Sequence, residues 1–341
     1  MRIIIADDGV PFNGLCLEQG PLGGAESCVV WLAEAFARLG HNVTCLTKSN
    51  TSVLHNGVNW EPISGNHPES ADLYIANRGH TVLRLIPKAR HIAFWVHNPA
   101  QYLLKARYLW PLVRRKSAMV FLSKFHASTL PAWVPGRRLV IPHGVDPVFY
   151  PSPHIAIPPG PRAVFLSNPL RGLDPLLDMW KQHIVPAIPS AELHLFTGPG
   201  IMSQREGGSE ETQAVLGKAQ HTPGVFLNPP LQRNSLASAL MSMRVHCYPS
   251  TVPESFCLAI AESQACGVPA IVNDTGALPE RITDKKTGFV TMTANPRSFA
   301  DATIRLLSDD TLWQSMHQSL LLAPIRRWED VARDFINQTI T

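Results

Sequence analysis

The feature that most constrains the fold is a repeated alternation of short, almost wholly apolar segments with longer segments of helical periodicity. The first apolar segment is "RIIIAD" (2–7), and a helix ending at a glycine is predicted over residues 24–40. The further strands predicted in this half are 42–47, 72–78, 91–97, 117–123 and 138–145. Several of them lack polar alternation, which indicates a parallel sheet covered on both faces.

The second half repeats this plan after a proline-dense stretch at 142–161. Its predicted strands are 163–169, 192–198, 224–230, 245–250 and 269–274, and helices are predicted at 173–184 and 295–310. We therefore predict two α/β domains, over residues 1–147 and 148–322. Residues 323–341 are expected to hold an amphipathic helix that crosses back onto the first domain.

Composition narrows the class of protein. The chain has 341 residues, of which 45% are hydrophobic and 16% charged, as in folded globular proteins. No apolar run approaches the roughly 18 residues of a membrane span. Most cysteines fall inside apolar runs, where a reduced cysteine is a small core residue, so a cytoplasmic location is expected. The six cysteines form no CxxC pair and no HExxH occurs, so we predict neither a metal nor a cofactor. The loop after the first strand lacks GxGxxG, which argues against a dinucleotide oxidoreductase.

The stretch "PESFCLAIAESQACG" (253–267) carries the strongest functional signal. Ser255 is a plausible N-cap and Gly267 a suitable C′ residue, so a helix is predicted from about Phe256 to Cys266. The first N–H groups of such a helix suit a phosphate. Glu254 and Glu262 flank this point, so the segment could hold a molecule with hydroxyls on both sides of a phosphate, as in a nucleotide sugar.

These residues resemble the retaining glycosyltransferases of family GT4, which have the GT-B fold. The segment from "YPSTVPESFCLAIAESQACG" onward is similar to that family's E-x7-E signature, and "GPLGGAE", "FWVHNP", "IPHGVDPVF" and "SNPLRGLDPLL" resemble its other motifs. The resemblance implies two Rossmann-like α/β/α domains that face each other across a cleft. It also implies transfer of a sugar from a nucleotide-diphosphate sugar to a glycan or lipid-linked acceptor, without a metal, in polysaccharide or glycolipid biosynthesis.

The resemblance further implies a role for each matching residue. As catalytic residues, His97 and Glu254 would contact the transferred sugar and Arg171 would neutralise the diphosphate. Glu262 would bind the donor ribose. The remaining donor-binding residues would act through their backbone: Phe256, Cys257, Leu258, Gly23 and Gly24.

The sequence departs from the family pattern at two positions. Cys257 stands where the family often has glycine, and Arg171 stands where it often has lysine, with no second basic residue a few positions earlier. Two alternatives to transfer therefore stay open: a catalytically degenerate scaffold or binding protein, and another GT-B enzyme such as a sugar-nucleotide epimerase.

Charge is unevenly distributed along the chain. Residues 73–145 contain twelve Lys or Arg and no Asp or Glu, whereas the whole chain has a net charge of +4. Within this stretch, "QYLLKARYLWPLVRRK" (101–116) mixes aromatic and basic residues, as an interfacial segment does. We expect peripheral contact with an anionic membrane surface. The alternatives are a solvated basic face and a soluble anionic acceptor; nucleic acid is not expected, because no recognition motif accompanies the charge.

Overall fold

The computed structural model describes residues 1–20, 22–150, 157–197 and 210–340. The last residue of the predicted strand 192–198, Pro21 of "GPLGGAE" and part of the proline-dense stretch lie outside the described residues. In chain order the strands are β1 (Arg2–Asp7), β2 (Asn42–Thr47), β3 (Val53–His55), β4 (Val58–Pro62), β5 (Ser70–Asn77), β6 (Lys88–Trp95), β7 (Ala118–Phe121), β8 (Arg138–Val140), β9 (Arg162–Phe165), β10 (Glu192–Phe196), β11 (Val225–Asn228), β12 (Val245–Tyr248), β13 (Ala270–Asn273) and β14 (Gly288–Thr291).

The α-helices, again in chain order, are α1 (Cys16–Gln19), α2 (Gly24–Arg38), α3 (Ala106–Arg114), α4 (Lys124–Ser128), α5 (Leu173–Met179), α6 (Val185–Ala187), α7 (Glu210–Gln220), α8 (Arg233–Leu240), α9 (Leu258–Ala265), α10 (Leu278–Arg281), α11 (Pro296–Ser308), α12 (Asp310–Leu322) and α13 (Trp328–Ile340). Short 3-10 turns lie at Val82–Arg84, Ala100–Leu104 and Pro147–Phe149, and a π turn at Trp180–Ile184 joins α5 to α6. Within the described ranges, no helix combines the length and apolar character needed to cross a membrane.

The chain folds as two compact units. The first holds Met1–Gly144 and the C-terminal stretch from Arg326, and the second holds Val145–Ile325. The sheet of the first unit has the order β3-β4-β2-β1-β5-β6-β7-β8, and all its pairs are parallel except β3 with β4. The second sheet, β11-β10-β9-β12-β13-β14, is parallel throughout. The predicted parallel α/β architecture is therefore confirmed.

Buried apolar strands explain why both sheets are covered on both faces. Ile3, Ile4 and Ile5 of β1 are fully buried, although their side chains point alternately to opposite faces. In the first unit, α13 is one of the helices that cover the sheet. Its Phe335 packs edge-on against Phe36 of α2, with 6.4 Å between the ring centroids. Phe335 also contacts Trp95 of β6 at 5.4 Å, so α13 is an integral part of this core.

The order of the strands also fixes where loops can form a site. In each sheet, successive strands are added in one direction and then in the other, so the order reverses between β1 and β5 and between β9 and β12. At such a switch point the loops after adjacent strands diverge and leave a crevice at the carboxyl ends of the strands, where α/β proteins commonly bind ligands.

Candidate functional site

In the second unit, Glu254 and Arg171 meet at the switch point between β9 and β12. Arg171 follows β9, and its Nη1 donates to Glu254 Oε1 at 2.5 Å. The Tyr248 hydroxyl, at the end of β12, donates to the same oxygen. Glu254 is therefore held by a cation and a phenol at the mouth of the sheet.

Two glycines with positive φ position the loops that carry this ion pair. Gly172, which follows Arg171, has φ +103°, and a Cβ there would lie 2.2 Å from the carbonyl oxygen of Pro249. Gly276 has φ +64°, and a Cβ there would lie 2.4 Å from the backbone nitrogen of Glu254. Glu254 forms a parallel β-bridge with Gly276. Only glycine fits at these two close approaches.

The predicted start of the following helix is wrong. The helix is α9 (Leu258–Ala265), and its N-cap is Cys257, in the left-handed region at φ +65°, rather than Ser255. Glu254 therefore precedes the helix, and of the three predicted backbone donors only Leu258 belongs to it. A positive φ at Cys257 explains why glycine is the residue that this position favours.

The end of α9 agrees with the prediction. Gly267 has φ +76°, and its N–H donates to the Gln264 carbonyl at 2.9 Å. The N–H of Val268 donates to the Ser263 carbonyl at 2.9 Å. These two bonds form a Schellman motif, which satisfies carbonyl groups that the last turn leaves free.

Glu262 lies on α9 and is buried. Its Oε1 accepts from Nη2 of Arg233 at 2.6 Å, and Nε of Arg233 donates to Asp146 at 2.6 Å. The Arg233 guanidinium also stacks over the Phe149 ring, 4.8 Å from its centroid. Burial raises the pKa of Glu262, and Arg233 opposes that shift. Arg233 was not among the predicted residues, because an arginine at the start of an ordinary amphipathic helix carries no sequence signal.

In the first unit, the switch point between β1 and β5 carries a chain of polar contacts. Asp7 ends β1 and Asn77 ends β5, and the two residues are register partners. Asn77 Nδ2 donates to Asp7 at 2.5 Å, and His97, two residues beyond β6, has its Nε2 2.8 Å from Asn77 Oδ1. An ionised carboxylate only accepts, so the amide nitrogen of Asn77 faces Asp7 and its oxygen faces His97. His97 Nε2 therefore carries the hydrogen, and Nδ1 is an acceptor.

Electrostatics keep His97 neutral. Burial, together with the nearby His143 and Arg78, lowers the pKa of His97 well below its usual value. The ring stacks on that of His143 with 5.5 Å between centroids. His97 is thus a neutral, oriented imidazole at pH 7.

Arg78 and Glu26 complete this group of polar residues. Arg78 Nη2 donates to Asp7 Oδ2 at 2.7 Å and to Glu26 Oε1 at 2.9 Å. Gly23 is the N-cap of α2, and a Cβ there would lie 2.2 Å from Glu26 Oε2. A Cβ on Gly24 would meet nothing within 4 Å. A side chain at Gly23 would therefore displace the Glu26 carboxylate, whereas at Gly24 no protein atom of the described residues would be displaced.

Comparison with known proteins was made for the whole chain. A family model described as Glycosyl transferases group 1 matches residues 161–309. The match lies within the second unit.

Curated relatives match part of the chain. A D-inositol 3-phosphate glycosyltransferase of Jonesia denitrificans is 30% identical over 177 residues, which cover 50% of this chain and 40% of the relative. A protein of the same description from Mycobacteroides abscessus is 37% identical over 121 residues, 35% of this chain and 26% of the relative. The chain thus spans 40% or less of the length of these relatives.

Solved structures extend the likeness to both units. A sucrose-phosphate synthase from Thermosynechococcus elongatus is 18% identical with a TM-score of 0.75, over 99% of this chain and 98% of that one. HepE of Anabaena, solved with UDP-glucose, is 15% identical with a TM-score of 0.74, over 99% of each chain. At this identity the likeness shows the fold, which is GT-B.

The second unit thus contains Glu254 and the predicted residues around it, together with Arg233, Asp146 and Tyr248, which were not predicted. Tyr248 could have been noticed as a polar residue that ends an apolar strand, and the same signal marks Asp7 and Asn77. Among the described residues, no group of three or more His, Cys, Asp or Glu side chains is placed to hold a metal ion.

Proposed function

We propose that the protein transfers a sugar from a nucleotide-diphosphate sugar to an acceptor hydroxyl, with retention of anomeric configuration and without a metal ion. One observation carries this proposal: Glu254 and Glu262, each bonded to an arginine, flank the first turn of α9 in a group 1 glycosyltransferase domain. Carboxylates bind sugar hydroxyls and arginines bind phosphates, so the set matches both parts of such a donor.

Arg171 supplies the charge that sugar transfer requires. The diphosphate gains negative charge as the glycosidic bond breaks, and a guanidinium already held in place stabilises that charge. The bond from Nη1 to Glu254 leaves the other N–H donors of Arg171 for phosphate oxygens. We assign Glu254 to hydroxyls of the transferred sugar, Glu262 to the ribose, and the amides of residues 256–258 to the sugar and diphosphate.

The first unit is proposed to bind the acceptor and to supply His97. Because its Nε2 hydrogen is directed to Asn77, the free Nδ1 of His97 accepts a hydrogen bond from a sugar hydroxyl. Gly23 and Gly24 allow close approach of the backbone to the reacting groups. A glycan or lipid-linked alcohol of polysaccharide or glycolipid biosynthesis is the proposed acceptor.

Donor binding and turnover test the proposal separately. Because HepE was solved with UDP-glucose, UDP and UDP-glucose lead a thermal-shift panel of nucleotides. A ligand at 100 times its Kd stabilises by about 2.7 kcal/mol, and Glu262→Ala should remove that shift. Glu254→Gln should abolish donor hydrolysis or transfer while the protein stays folded, whereas Glu192→Gln, an exposed pair partner of Arg162, should change nothing. If no nucleotide stabilises the protein at millimolar concentration, the proposal is wrong.

Cys257 favours one alternative, a scaffold that binds a nucleotide sugar without turnover. Cys257 is the N-cap of α9 and has a positive φ, a backbone region that a residue with a side chain rarely adopts. In that case nucleotides stabilise the protein, but neither the native chain nor Cys257→Gly forms product. Activity in the native chain excludes the scaffold.

A peripheral contact with an anionic membrane is the second part of the proposal. Trp110 of α3 is 64% exposed and lies beside Arg84 and Arg114 around a cavity of 310 Å³. The basic stretch contributes less charge than its sequence indicates, because Arg78, Lys88 and Arg90 pair with carboxylates. Arg115, Arg137 and Arg138 donate to backbone carbonyls and keep their positive charge.

Vesicle co-sedimentation tests this contact. Arg84→Gln with Arg114→Gln should weaken binding to phosphatidylglycerol vesicles, since each cation near an anionic surface contributes about 1 kcal/mol. Arg115 is unsuitable for this test, because it donates to the carbonyls of Leu83 and Ile86 and its loss would disturb the fold. Equal binding to neutral and anionic vesicles would contradict an electrostatic contact.

A further inference from the structure

A second pocket lies entirely within the first unit, beside the residues that hold His97. Its volume is 430 Å³, which is within the range of small-molecule sites. The lining residues that matter here are Asp8, Arg78, Asn98, Tyr102, Lys105 and Arg107.

Two cations in this pocket lack a partner carboxylate. Arg78 is committed to Asp7 and Glu26. Lys105 and Arg107 have exposed side chains, and neither forms an ion pair with any residue that the structure describes. The Arg107 guanidinium lies over the Tyr108 ring, 5.7 Å from its centroid, which orients it at the pocket. Two unpaired cations lining one concave site repel each other, and an anion bound between them relieves that repulsion.

The same pocket also offers a hydrogen-bond acceptor. Asp8 Oδ2 accepts from the Thr81 hydroxyl, which fixes the carboxylate and leaves Oδ1 able to accept another hydrogen bond. A simple anion would be repelled by Asp8, whereas a molecule with an anionic group and hydroxyls satisfies both kinds of lining residue. The chemistry of the site therefore selects a hydroxylated anion.

The pocket is coupled to the His97 network through two residues. Arg78 lines the pocket and bonds to Asp7, which holds Asn77 against His97. Asn98 lines the pocket and directly follows His97. An alcohol bound here thus contacts the residues that orient the imidazole.

We infer that this pocket binds the anionic group, a phosphate or a carboxylate, of the acceptor alcohol, through Lys105 and Arg107. The identification of the ligand as the acceptor rests on the proposed function. The binding of an anion to this pocket does not depend on it. A soluble sugar phosphate and a phospholipid headgroup share this chemistry, and the test separates them.

The test is isothermal titration of the full chain with inorganic phosphate and glucose 6-phosphate, and co-sedimentation with phosphatidylglycerol vesicles. In Lys105→Gln with Arg107→Gln, affinity for glucose 6-phosphate should fall at least tenfold, since two charge-assisted hydrogen bonds are lost. The matched control, Lys88→Gln with Arg90→Gln, removes the same charge from exposed positions of β6 that line neither cavity, and should leave that affinity unchanged.

The outcomes are distinct. Loss of glucose 6-phosphate binding identifies a soluble acceptor, and loss confined to inorganic phosphate and vesicles identifies a lipid headgroup. Equal affinities in the double variant and the native chain, or no binding of any probe to the native chain, would overturn the inference. UDP binding is measured in parallel and should be unaffected by the double variant, so failure of UDP to bind the native chain counts against the proposed function and not against the anion pocket.

Discussion

At the scale of single residues, Arg233 joins three parts of the second unit. It bonds Asp146 and Glu262, each at 2.6 Å, and covers the face of Phe149. A buried carboxylate that loses its cation keeps its desolvation cost, so removal of one partner costs more than the pair contributes.

Arg233→Met should therefore lower the free energy of unfolding by about 2 to 3 kcal/mol and weaken nucleotide binding. Adding Glu262→Gln to this variant should restore part of the stability, because the unpaired charge is gone, but not the binding. Urea denaturation and UDP titration measure the two effects. Arg162→Met, which breaks an exposed pair with Glu192, serves as the control and should change stability by less than about 0.5 kcal/mol.

A buried histidine makes the second unit sensitive to acid. Burial lowers the pKa of His246 to about 3, and its Nδ1 lies 2.7 Å from the Ser263 hydroxyl oxygen. In the unfolded chain the His246 imidazole is therefore protonated as the pH falls below about 6.5, whereas in the folded chain it stays neutral until about pH 3. Because the unfolded state binds more protons, stability is full above pH 6.5 and is lost as the pH falls toward 3.

Protonation of His246 in the unfolded state should lower the free energy of unfolding of the native chain by about 2 kcal/mol at pH 5 relative to pH 7. In His246→Gln that loss is absent, so the stability difference between native chain and variant should narrow by that amount on acidification. His221→Gln, at an exposed histidine of the same unit, is the control and should keep the native slope. A variant that parallels the native chain between pH 7 and pH 5 would show that His246 is not the cause.

At the scale of elements, the loops after β9 and before α9 depend on glycine more than on side-chain contacts. Gly172 and Gly276 both have positive φ and both approach the backbone too closely for a Cβ. They hold Arg171 and Glu254 at adjacent strand ends, so the ion pair is set by backbone geometry.

Gly172→Ala and Gly276→Ala should each destabilise the second unit by more than about 2 kcal/mol, through backbone strain and the clash with a neighbouring strand or loop. Gly217 lies in α7, and a Cβ there would meet nothing within 4 Å, so Gly217→Ala should instead stabilise by about 0.5 to 1 kcal/mol. Thermal unfolding of the three variants gives the comparison. Equal melting temperatures across the set would mean that the loops absorb the methyl group.

At the scale of the whole molecule, the C-terminal helix α13 completes the core of the first unit. Phe335 is fully buried against Phe36 and Trp95, and Trp328 lies 5.6 Å from Trp31 between ring centroids. Arg38 also bonds Glu329 at 2.7 Å. The core of the first unit is therefore complete only when α13 is packed in place.

Phe335→Ala should cost about 3 to 5 kcal/mol, the usual loss for a buried phenylalanine. Scanning calorimetry, with UDP added to mark the unit that it stabilises, should show the loss in the transition of the first unit. Leu322→Ala, at an 86% exposed position of α12, should leave the profile unchanged. A loss confined to the UDP-stabilised transition would contradict the place of α13 in the first core.

The sequence alone determined the α/β class, the parallel sheets and the segment around Glu254. These follow from local periodicity and from a motif of fixed spacing, both of which are properties of neighbouring residues. It could not indicate the short strands β3, β4 and β14, or the division of the predicted helix 173–184 into α5 and a π turn, because tertiary packing decides such short elements.

Only the tertiary structure decided which charges meet. Arg171 and Glu254 are 83 residues apart, and Asp7 and Asn77 are 70 apart, yet each pair is joined by a hydrogen bond at adjacent strand ends. Strand order creates those encounters, and no local pattern encodes it. The same holds for Arg233 and for Arg78, Lys88 and Arg90, which folding pairs with carboxylates, since the free energy of a charge depends on the groups that folding places around it.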